Sequence, residues 1–117
     1  MKTIHVSAKI KIQPGKSEEF KEISRKCVDL VKEKDQGTLA YDWFFSDDET
    51  ECEVRESYTD SNAMMEHMRN LQDELGGLFA LGHDLELVFY GDLSEQVREA
   101  IAPFNPKIYG YGFSLNS

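Results

Sequence analysis

Ile4, Val6, Ala8, Ile10 and Ile12 alternate with His5, Ser7, Lys9 and Lys11, the period-two pattern of a half-buried strand. Pro14-Gly15 breaks that pattern. Ser17 then reads as a helix cap, with Glu18 and Glu19 suited to the positive end of a helix. Phe20, Ile23, Cys27, Leu30, Val31 and Lys34 recur at helical spacing, and Gly37 is placed as a left-handed stop. Leu39 to Phe45 reads as a second strand, joined through Ser46-Asp47-Asp48-Glu49 to a third over Cys52 to Tyr58. Asp60 caps a second helix whose stripe is Ala63, Met64, His67, Met68 and Leu71, and Gly76-Gly77 is expected to interrupt or re-aim it. A fourth strand follows from Asp84 to Tyr90.

The resulting order, β-α-β-β-α-β, predicts an α+β, ferredoxin-like protomer with helices on one face of an antiparallel sheet. Residues 3–91 make that core, and residues 92–117 extend it within one domain spanning 1–117. In the extension Ser94 caps a short helix through Ala102, with Val97, Ala100 and Ile101 as its apolar side. Ile108-Tyr109-Gly110-Tyr111-Gly112-Phe113 then looks like a segment that docks on its own sheet or on a partner. Trp43, Phe44 and Phe45 put aromatics on both faces of the second strand, which calls for cover on both sides. The expected cover is a second copy packed through the sheet face.

A chain of 117 residues with 40% hydrophobic residues supports one core, and short chains often add to it by oligomerising. The net charge of −9, from 22 acidic and 13 basic residues, argues against nucleic acid as a partner, because phosphate binding relies on Lys and Arg. The alternation begins directly after Met1-Lys2, so no leader peptide is expected, and no apolar run approaches the ~20 residues of a membrane span. The cytoplasm is the default location. Cys27 and Cys52 read as buried free cysteines, and the spacing of His and Cys suggests no structural metal.

Lys11-Ile12-Gln13-Pro14-Gly15-Lys16 before Phe20, then Gly37-Thr38-Leu39-Ala40-Tyr41, then Glu56-Ser57-Tyr58-Thr59-Asp60 with Ala63 and His67, resemble the antibiotic biosynthesis monooxygenase domain. The resemblance implies a protomer that pairs into a dimeric α+β barrel. The family holds quinol monooxygenases, anthrone oxygenases, haem-degrading enzymes and an autoinducer-phosphate isomerase, so the fold leaves the reaction open. Many members carry a second His shortly after the position matching His67, where this chain has Met68-Arg69-Asn70-Leu71-Gln72. The haem-degrading branch has an Asn on the first strand and a Trp near the end of the third. Ser7 and Tyr58 occupy those neighbourhoods here, and the single Trp, Trp43, lies on the second strand.

His67 is the first catalytic candidate, because an imidazole is suited to taking a proton from a phenol near neutral pH. The alternative is a half-buried helix His bonded to Glu56 or to a backbone carbonyl. Glu56 and Tyr58 share a strand face, so Glu56 can orient His67 and Tyr58 can donate to a substrate oxygen; their structural alternatives are an ion pair with Arg69 and packing. Tyr41 and Trp43 share a face and suit a flat aromatic ligand or an interface core, while Met64, Met65 and Met68 form an adaptable apolar wall or plain core. His5 and His83 read as surface residues, His83 in a loop, and Asp47-Asp48 as a solvated turn. These residues, with the resemblance, lead to a cofactor-independent monooxygenase of a quinol, anthrone or similar hydroxylated aromatic. The competing readings are a non-enzymatic binding or structural dimer and an isomerase of a small dione phosphate.

Overall fold

The structure, a computed structural model, describes residues 3–116, leaving Met1, Lys2 and Ser117 outside the description. Strands β1 (Ile4–Ile12), β2 (Thr38–Phe45), β3 (Glu51–Tyr58), β4 (Gly82–Tyr90) and β5 (Lys107–Tyr109) form a single sheet in the order β2-β3-β1-β4-β5. All pairings are antiparallel except β4 with β5. Helices α1 (Ser17–Lys34), α2 (Ser61–Asn70) and α3 (Gln72–Ala80) complete the ferredoxin-like α+β core, and α4 (Glu95–Ile101) leads through a 3-10 turn, Ala102–Phe104, to β5.

The strand alternation decides which side chains meet the helices. Ile4, Val6, Ile10 and Ile12 of β1 join Cys52, Val54 and Tyr58 of β3 and Phe89 of β4 among the buried side chains. Two clusters result. One gathers Ile4, Val6, Tyr58, Met64 and Phe89 with Leu93, Val97 and Ile101, so the extension shares a core with the sheet. The other surrounds Phe20, Cys27, Leu71 and Leu78.

Several local expectations change. Helix α1 begins at Ser17 itself, with Lys16 in the cap position, and the Ser17 hydroxyl donates to Glu49 instead of capping. That helix ends at Asp35, whose extended backbone turns the chain toward β2. Gly37 is therefore not a left-handed stop. It is required by close approach, since a Cβ there would lie 2.5 Å from the Ala63 Cβ and 2.7 Å from the Thr59 Oγ1. Asp60 does cap α2, accepting from the Ala63 N–H at 2.9 Å. The break after α2 falls at Leu71, whose fully buried side chain anchors the bend, and Gly76 and Gly77 lie inside α3. Helix α3 passes α1 closely at Gly77, where an added Cβ would stand 3.3 Å from the Ile23 Cδ1. His83 is in β4 rather than a loop, opposite Lys11.

Strand β2 does carry aromatics on both faces. Tyr41, Trp43 and Phe45 all turn to the helices, with Phe20 meeting Trp43 and Phe45 edge-on. The opposite face of the sheet carries His5, Ser7, Lys9, Asp42, Glu53, Arg55 and Glu86, with Phe44, Tyr90 and the Tyr109 stacked on it as exposed aromatics. Among the described residues no helix is long and apolar enough to cross a membrane.

Candidate functional site

Register brings the candidate residues together. Tyr41 pairs with Glu56 and Trp43 with Val54 across β2 and β3, so their side chains stand side by side on the helix face. Helix α2, started by its Asp60 cap, lays Met64, His67 and Met68 over them. Between sheet and helices lies a cavity of about 140 Å³. His67, Glu56, Tyr58, Trp43, Tyr41, Met64 and Met68 all border it. Met65 packs against the neighbouring core instead.

His67 is buried, with only 5% of its side chain exposed, and its Nδ1 lies 2.8 Å from Asp35 Oδ2. The Asp35 side chain is 1% exposed. Asn70 Nδ2 donates to Asp35 Oδ1 at 2.8 Å, and the Thr38 hydroxyl donates to Oδ2 at 2.7 Å. Burial alone would push this carboxyl up, but the hydrogen bonds from Asn70, Thr38 and His67 outweigh it and hold the group below the usual carboxylate range. An ionised carboxylate only accepts, so the proton of a neutral His67 sits on Nδ1 and Nε2 keeps its lone pair.

Nε2 faces Glu56 Oε1 at 3.8 Å, beyond hydrogen-bond range. Glu56 accepts from the Tyr58 hydroxyl. Burial pushes the Glu56 carboxyl up, an effect that His67 and the Tyr58 hydrogen bond only partly offset. Tyr41 and Tyr58 meet the imidazole edge-on, with centroids 4.9 and 5.2 Å from it, which fixes the ring plane. Burial likewise holds both phenols protonated, and pushes the Cys27 thiol beside Tyr41 up to about 11. Trp43 contributes a buried Nε1–H with no hydrogen-bond partner, a state that costs about 1–3 kcal/mol.

The site therefore offers a base with a defined tautomer, a buried carboxyl–phenol pair next to it, and an apolar chamber for a ring. The partner that orients His67 is Asp35, not Glu56, and Glu56 makes no ion pair with Arg69. No local pattern singles out Asp35, which falls between the helical stripe ending at Lys34 and Gly37. Its position was still informative: a carboxylate is disfavoured at a helix C-terminus, so something else must hold it there. Ser7 lies on the other face, where its hydroxyl donates to Glu53 at 2.6 Å. Among the described residues no group of three or more His, Cys, Asp or Glu is arranged to hold a metal ion.

The family model for antibiotic biosynthesis monooxygenase matches residues 3–72. Among solved structures, MupZ from Pseudomonas fluorescens superposes with a TM-score of 0.87 at 20% identity, over 98% of this chain and 94% of that one. A protein from Caulobacter crescentus, provisionally assigned as an antibiotic biosynthesis monooxygenase, gives 0.69 at 23% identity over 75% and 87% of the two chains. Rv0793 from Mycobacterium tuberculosis gives 0.69 at 18% identity over 80% and 97%. These likenesses are of fold. No functionally curated protein matches the sequence.

Proposed function

The chain belongs to the antibiotic biosynthesis monooxygenase family, and from that premise we propose that it oxygenates a hydroxylated aromatic, a quinol or an anthrone, without a cofactor and with His67 as general base. The observation that carries the proposal is the Asp35–His67 pair, which leaves Nε2 unprotonated at the wall of an apolar cavity. His67 takes the acidic proton of the substrate, and Asp35 stabilises the imidazolium. The electron-rich anion reduces dioxygen and combines with it at carbon. Loss of water from the resulting hydroperoxide leaves a new carbonyl. For an anthrone the balance is one substrate and one dioxygen to one anthraquinone and one water. Glu56, kept protonated more readily by burial, is placed to supply a proton to the departing oxygen.

The phosphate-isomerase reading has less support, since no Lys or Arg lines the cavity among the described residues. A second copy of the chain remains the expected cover for the open sheet face. Its mixed Lys9, Arg55, Glu53 and Glu86 charges and exposed Phe44 and Tyr90 suit a self-complementary contact. Dioxygen uptake over a panel of reduced naphthoquinols and anthrones, in metal-free buffer, tests the reaction. The proposal expects uptake above the autoxidation blank that His67→Ala abolishes in a folded protein. Thermal stabilisation by the same compounds with no uptake would instead establish a binding protein.

A further inference from the structure

Of the residues that line the cavity, only Phe79 and Phe104 are exposed, at 40% and 42%. They mark the place where the chamber meets solvent. Their rings stand 6.1 Å apart at 53°. Phe79 lies in the last turn of α3, whereas Phe104 belongs to the C-terminal extension, beyond the residues matched by the family model.

The extension holds Phe104 at this mouth from both sides. Before it, Val97 and Ile101 are almost fully buried in the same cluster as Tyr58 and Met64, and the Ser94 N–H donates to the Ser61 hydroxyl at 2.9 Å. After it, Asn105 adopts a left-handed turn with φ 51°, and β5 pairs with β4 through Phe89 and Ile108. The backbone at Phe104 cannot leave the mouth without undoing one of these attachments. The chamber behind it, about 140 Å³, is close to the ~150 Å³ of an engineered apolar cavity that binds benzene. It therefore encloses about one ring, and the further rings of a naphthoquinol or an anthrone have to lie between Phe79 and Phe104.

We propose that Phe104 is a specificity-determining residue: with Phe79 it flanks the mouth through which any ring beyond the first must extend, and so limits how large a ring system is admitted. This rests on the cavity being the substrate site, but it is tested by binding alone. Isothermal titration calorimetry of the full chain with phenol, 2-naphthol and 9-phenanthrol compares the wild type with Phe104→Ala and Phe104→Trp. In the alanine variant the affinity for 9-phenanthrol relative to phenol rises at least tenfold. In the tryptophan variant 2-naphthol loses relative to phenol. Phe79→Ala, opening the mouth from the other side, reproduces the alanine result and carries the test if Phe104→Ala does not fold. Unchanged affinity ratios overturn the proposal. No binding of any probe by any of the proteins overturns it together with the choice of site. The predicted shift without dioxygen uptake leaves the size filter standing and removes the oxygenase reading.

Discussion

Asp35→Asn separates what the buried carboxylate does for His67 from what it does for the fold. Its two oxygens accept three hydrogen bonds, from His67 and Thr38 on Oδ2 and from Asn70 on Oδ1. An asparagine has the same shape but one acceptor and one donor. With its oxygen toward Asn70, its amide nitrogen faces His67 Nδ1, and the imidazole answers by moving its proton to Nε2. Hydrogen bonds to a charged group contribute about 1.5–3 kcal/mol, against about 0.5–1.5 for neutral ones, so three exchanges lose about 3 kcal/mol. Relief from burying a charge at a position 1% exposed offsets much of that loss. Net destabilisation is therefore expected below about 2 kcal/mol, measured by urea denaturation. The wrong tautomer, however, removes the base. A bias of 2–3 kcal/mol corresponds to about a 30- to 150-fold lower kcat, with KM little changed. Long-range 1H–15N spectra read the tautomer directly, without reference to turnover. Because the folded carboxyl lies below its unfolded value of about 3.9, its contribution is complete above that pH and is lost as pH falls through the folded value. The acid limb of the wild-type stability curve accordingly flattens in the variant. A His67 that keeps its proton on Nδ1 in Asp35→Asn, with kcat unchanged, would refute the reasoning.

Two further predictions concern the surroundings. Glu56 has a raised folded-state carboxyl, so the folded protein binds the extra proton and stability falls as pH rises above the unfolded value of about 4.3. Glu56→Gln still accepts from Tyr58, and its stability relative to wild type increases as pH rises from about 4 toward the folded value; a relative stability that stays constant or falls over that range would show the carboxyl is not destabilised by burial. Gly37→Ala forces a methyl group against Ala63 Cβ and costs about 1–3 kcal/mol in chemical denaturation, since neither the α2 backbone nor a methyl group can swing aside.

The strand and helix faces were legible because alternation and the Asp60 cap are local signals that the tertiary structure leaves intact. Once β2 and β3 pair, with Tyr41 opposite Glu56, those local patterns are enough to collect all seven candidate residues around one chamber. What escaped the sequence depends on contacts between distant segments. Asp35 and His67 lie 32 positions apart, and nothing around either names the other. Gly37 looked like a stop because glycine serves both positive φ and close approach, and only the packing against Ala63 distinguishes them. Phe104 follows a proline beyond the helical stripe of Val97, Ala100 and Ile101, so its role at the mouth depends on where β5 pairs.

Anaerobic mixing of the protein with a reduced naphthoquinol tests the central claim most directly, because it isolates proton removal from the reaction with dioxygen. The account predicts that the bound ligand shows the ultraviolet–visible spectrum of the quinolate at neutral pH with wild type and of the neutral quinol with His67→Ala. Admission of dioxygen then converts only the first to hydroxyquinone. A ligand that binds as neutral quinol and is still oxygenated, equally in both proteins, would contradict a base at His67.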